Sequence, residues 1–69
     1  MFKRGDIVTA QAWKDQEPTM LNTAMVTRTA KDGSWMDIDS IYGRKRIKNP
    51  VKNGWLVVSK PITIYLNSI

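Results

Sequence analysis

A chain of 69 residues has room for one small domain, and this one contains no cysteine and no histidine. Disulfides and zinc sites of the Cys/His type are therefore excluded, leaving an apolar core, with oligomerisation as its only supplement, to hold a fold that buries only about 60% of its unfolded surface. Eleven Lys/Arg against six Asp/Glu give a net charge of +5, which points to an anionic partner more than to a fold.

The start, "MFKRGDIV", is charged and has no apolar segment behind it, so it does not read as a signal peptide. No apolar stretch approaches the roughly 20 residues that span a bilayer. A soluble, cytoplasmic protein is expected. "DIVTAQAW" alternates as a strand should, with Val8, Ala10 and Ala12 on one face and Ile7, Thr9, Gln11 and Trp13 on the other. "KDQEPT" is polar, carries Pro18 and reads as a loop. "LNTAMVTRTA" suits a half-buried strand with Ala24 and Val26 facing inward, and "KDGS" centres a hairpin turn on Asp32-Gly33.

After that turn, "WMDIDSIY" places Met36, Ile38 and Ser40 on one face and Trp35, Asp37, Asp39 and Ile41 on the other. Gly43 reverses the chain into "RKRIK", whose single apolar residue is Ile47. An even-numbered loop around Tyr42-Gly43 sets Ile38 opposite Ile47, Asp39 opposite Arg46 and Asp37 opposite Lys48. "NPVKNG" is a second loop, followed by the apolar segments "WLVVS" and "PITIYL", with Pro61 marking a bend between them. Five or six short antiparallel strands joined by Gly, Asp, Asn and Pro turns predict an all-β fold, a small barrel or a pair of packed sheets. Residues 1–69 read as one domain, with 60–69 as an additional edge strand.

The rhythm of "FKRGDIVTA" and of "AMVTRTAKDGSWMDIDSIYGRKRIKNPVKNGWLVV" resembles SH3-like small barrels of the KOW, Tudor and agenet type. In these a Gly-Asp pair precedes the first strand, and an Asp-Gly turn, an aromatic-led strand, a Gly turn and a basic strand follow. The resemblance covers residues 2–58 and implies a binding module. KOW-type members usually bind RNA or ribosomal and transcription machinery, Tudor-type members bind methylated side chains through an aromatic cage, and other SH3-like barrels bind peptides.

Charge is distributed unevenly. Residues 1–39 carry five cations and all six acids, whereas residues 40–69 carry six cations and no acid. Arg44, Lys45, Arg46, Lys48 and Lys52 form the candidate nucleic-acid-binding set, with Trp35 or Tyr42 as a stacking platform. The alternative is that these cations are a solvated strand face and partly neutralise Asp37 and Asp39. The second-ranked reading belongs to another function class: a protein-interaction or inhibitory accessory protein, of a size that suits phage or mobile elements, docking through Trp13, Trp35 and the tail residues Ile64 and Leu66. In that case the C-terminal strand would also offer a route to a homo-oligomer.

Trp35, Tyr42 and Asp37 or Asp39 hold parts of a methylammonium cage, yet they lie along one hairpin where a cage needs convergence from several loops. Asp37 and Asp39 share a strand face, but cationic neighbours would keep them ionised and unfit as general acids. No enzyme, metal, cofactor, membrane or small-molecule substrate is expected.

Overall fold

A computed structural model describes residues 2–58. The expected strand over 60–69, with Ile64 and Leu66, lies outside them. Five antiparallel strands form one sheet: β1 (Ile7–Thr9), β2 (Ala24–Thr29), β3 (Trp35–Ser40), β4 (Gly43–Lys48) and β5 (Leu56–Val57), in the spatial order β4-β3-β2-β1-β5. The fold is all-β. Among the described residues the sheet is open, since β4 and β5 are its two edges.

Alternation decides the core. Val8, Ala24, Val26, Met36, Ile38 and Ile47 are buried on the inner face, and Phe2 and Trp55 pack against them. Every one of these strand positions except Val8 comes from the β2-β3-β4 meander, whose period-2 pattern is the cleanest in the chain. The turn after β4 is held tightly: Asn53 donates its side-chain amide to the carbonyls of Lys48 and Asn49, and Pro50 is fully buried.

Four details depart from the sequence expectation. The first strand stops at Thr9, and Gln11–Trp13 form a 3-10 turn in which the Trp13 N–H donates to the Ala10 carbonyl. Ala and Gln carry none of the β-branching that favours a strand, so the face assignments for Ala10, Ala12 and Trp13 do not apply. Thr9, expected on the outward side, is buried and donates its hydroxyl to the Asn22 carbonyl at 2.8 Å. That bond ties the sheet to the long loop of residues 10–23. The "WLVVS" segment is strand only at Leu56–Val57, because the preceding turn holds Trp55.

The third difference is the register of the β3-β4 hairpin. Ser40 pairs with Gly43, so the loop is Ile41-Tyr42; the expected Tyr42-Gly43 loop is not formed. Every partner consequently moves by two: Ile38 faces Lys45, Met36 faces Ile47, Asp37 faces Arg46 and Asp39 faces Arg44. Gly43 supplies the reason, with a φ of 106° just past the loop, a conformation that favours glycine. A shift of two preserves which face each residue occupies, and Ile38 and Ile47 both remain buried inward.

The fourth difference is a bulge. Val26 pairs with Ile38 and Arg28 with Asp37, so Thr27 is an extra residue in β2. Strict alternation after Ala24 and Val26 would turn Arg28 into the core. The bulge instead carries Arg28 to the outer face, opposite a carboxylate.

Candidate nucleic-acid interface

The basic strand β4 has two faces, and they meet different surroundings. Arg44, Arg46 and Lys48 project outward, beside Trp35, Asp37 and Asp39 of β3. The Arg46 guanidinium forms a fork with Asp37, Nε to Oδ1 at 2.7 Å and the second nitrogen to Oδ2 at 3.1 Å. It also lies over the Trp35 ring, 3.8 Å from the centroid, with Arg28 at 5.8 Å. Arg28, Trp35, Asp37 and Arg46 thus form one closed unit. The hydrogen bond from Arg46 holds the Asp37 carboxyl below the usual carboxylate range and raises the guanidinium above its own ordinary value.

This unit alters two of the expected site residues. Arg46 is already committed to Asp37, and one face of Trp35 is already covered by Arg46. Arg44 is engaged more loosely, 3.9 Å from Asp39 with an 87% exposed side chain. Lys48 pairs across from Trp35 and is exposed, and Lys52 is exposed in the following turn. Four cations (Arg28, Arg44, Arg46 and Lys48) against two acids leave this outer face with a surplus of positive charge.

Lys45 lies on the other face. Its register neighbours inward are Ile38 and, two residues along, Ile47. Here β3 and β4 border a groove of about 370 Å³ with a floor that includes Ala24, Ile38 and Ile47. Trp13, Leu21, Tyr42 and Trp55 line its sides, Arg44 and Lys45 complete the lining at β4, and no carboxylate is present.

The loop of residues 10–23 is shaped to build that wall. Asn22 accepts the Thr19 N–H at its side-chain oxygen and donates its amide to the Glu17 carbonyl. Buried Thr23 donates its hydroxyl to the Thr19 carbonyl. Tyr42, 72% exposed, donates its hydroxyl to the Leu21 carbonyl at 2.9 Å and so joins the hairpin tip to the loop.

Of the expected residues, the structure brings Tyr42, Arg44 and Lys45 together and adds Trp13 from a distant part of the chain. Trp35 is absent from this lining, so Trp35 and Tyr42 do not converge as a cage requires. Trp55, Leu21 and Asn22 belong to the site but carried no sequence signal, because their roles depend on how the loop folds back. Among the described residues no group of three or more acidic side chains is placed to hold a metal ion. Among the same residues no helix is long and apolar enough to cross a membrane. A scan against protein-family models finds no match, and searches of curated proteins and of solved structures return none.

Proposed function

We propose that this protein is a non-enzymatic binding module that contacts nucleic acid through the β3-β4 hairpin and the turn after it. The observation that carries the reading is the state of the cations along β4. Arg44, Lys45 and Lys48 are exposed, Lys52 continues the series, residues 40–58 hold no acid, and Asp39 meets Arg44 only loosely at 3.9 Å. Only Arg46 is tightly paired. The five-stranded sheet, with its last described strand returning to pair with β1, supports an SH3-like barrel as the parent architecture.

Contacts of this kind release counterions, so each phosphate neutralised contributes about 0.7 to the slope of log affinity against log salt for a single strand and about 0.9 for a duplex. Fluorescence anisotropy of a labelled decanucleotide, titrated with protein from low to physiological salt, measures that slope. Binding should weaken steeply with salt and be lost in Arg44→Glu combined with Lys45→Glu. The control pair Lys3→Glu with Lys31→Glu makes the same change in net charge away from the hairpin and should bind nearly normally. Absence of binding at low salt, or equal loss in the control, would refute the assignment.

A further inference from the structure

The groove between the hairpin and the loop of residues 10–23 has a composition that the fold alone does not call for. Its floor is aliphatic, three aromatic rings border it, and Lys45 faces it with no carboxylate among the lining residues, while Arg44 borders it and projects to the outer face beside Asp39. Lys45 is the informative member. Alternation puts it on the same face as Ile47, opposite Ile38, where it borders the buried core and is itself exposed. An ammonium group there has no anion to answer it among the described residues.

We propose that this groove seats an unpaired base of a single-stranded nucleic acid, with the base against Tyr42 and Trp13 and the adjoining phosphate at Lys45. The proposal rests on the nucleic-acid reading above and narrows it to one substrate class. Size agrees: about 370 Å³ is at the small end of ligand sites, which run roughly 300–1,000 Å³. The chemistry agrees as well, since a nucleotide joins a flat apolar ring to a phosphate at close range, and aromatic walls accept every base through its π-face. Duplex DNA keeps its bases stacked inside and has nothing flat to insert into a concave groove. A methylated ammonium is disfavoured by the Lys45 ammonium and by the lack of a carboxylate in the lining. The Tyr42 hydroxyl bond to Leu21 fixes the ring at the rim before any ligand arrives, which reduces the ordering cost of stacking.

The test uses the full chain with labelled dT10, rU10 and the dT10·dA10 duplex, followed by anisotropy and by tryptophan emission. Both single strands should bind at least about tenfold more tightly than the duplex. Tyr42→Ala should weaken single-strand binding about 5- to 150-fold, the range for loss of one stacked base. Tyr42→Phe keeps the ring and should bind nearly as wild type, which separates stacking from the tether to Leu21. Lys45→Met should lower affinity and its salt slope, and Lys45→Arg should restore both. Quenching should persist in Trp35→Phe, because Trp13 and Trp55 line the groove and Trp35 does not. Equal affinity for duplex and single strand, with Tyr42→Ala neutral, would overturn the base seat and leave the basic-hairpin reading intact. No binding of any probe at low salt would overturn both.

Discussion

Gly54 offers the sharpest test of how the groove is assembled. Its φ of 83° is left-handed, and a Cβ built on it would collide with Oε1 of Gln11 and lie 2.8 Å from the Gln11 Cβ. Gln11 opens the 3-10 turn that carries Trp13, and Gly54 precedes Trp55, so this contact sets two groove aromatics relative to each other. Gly54→Ala therefore incurs two penalties. A left-handed conformation costs a residue with a side chain about 1–2 kcal/mol, and overpacking typically adds about 1–3 kcal/mol. The Gln11 amide end can swing away at little cost, but its Cβ is fixed to the turn, so part of the clash persists. A sum of about 2–5 kcal/mol is large against a total stability of roughly 3–10 kcal/mol for a chain of this size.

Urea unfolding followed by tryptophan emission would give the change, and the double variant with Gln11→Gly would apportion it. Removing the Gln11 side chain should recover the steric part and leave the backbone part, so the double variant should be less destabilised than the sum of the singles. A Gly54→Ala loss below about 0.5 kcal/mol, within the range of an ordinary surface change, would refute the close packing of these two turns. Strict additivity in the cycle would refute the role of Gln11.

Acid unfolding should report the Asp37–Arg46 fork. The folded-state value of Asp37 is depressed, so its contribution is complete above the unfolded-chain value of about 4 and is lost as pH falls through the lowered folded value. Asp37→Asn should remove that part of the acid limb in a pH series of urea midpoints; an unchanged limb would show that the fork contributes nothing. Lys45→Val should separate stability from binding. A β-branched residue on the inner face favours the strand, with a gain of up to about 1 kcal/mol in urea unfolding, while single-strand affinity falls. A destabilised Lys45→Val would mean that the lysine serves the fold.

Facing was legible in the sequence wherever alternation is strict. Ala24, Val26, Met36, Ile38 and Ile47 were all assignable to the core by period 2, most sharply Ile38 between two aspartates and Ile47 between Arg46 and Lys48. The hairpin register was not, since alternation repeats every two residues and cannot distinguish pairings that differ by two. Only the position of the left-handed Gly43 relative to the loop separates them. The bulge at Thr27 did leave a trace: Arg28 continues the inward parity of Ala24 and Val26, and a charge there requires either a partner in the core or an extra residue before it. The groove was the least legible part. Trp13 and Leu21 reach it through side chain-to-backbone bonds of Thr9, Asn22 and Thr23, which no periodicity encodes.

The same parity that hid the register explains why the basic run overstates its own case when counted as one block. Charges at alternate positions of a strand do not add to a single field; they divide between two environments. Outward, Arg44 and Arg46 meet Asp39 and Asp37, and that pairing is what a half-exposed antiparallel sheet needs for register and solubility. Structural requirement therefore accounts for Arg46 without any ligand, while Arg44, loosely engaged and largely exposed, keeps its charge available. Inward, no acid answers position 45: Lys45 is exposed at the groove beside Ile38 and Ile47, among lining residues that include no carboxylate. A side chain that the fold explains is weak evidence of function, and a charge that no neighbour in the fold answers is stronger evidence. By that criterion Lys45, with the aromatic groove beside it, carries more of the functional argument than the rest of β4 together.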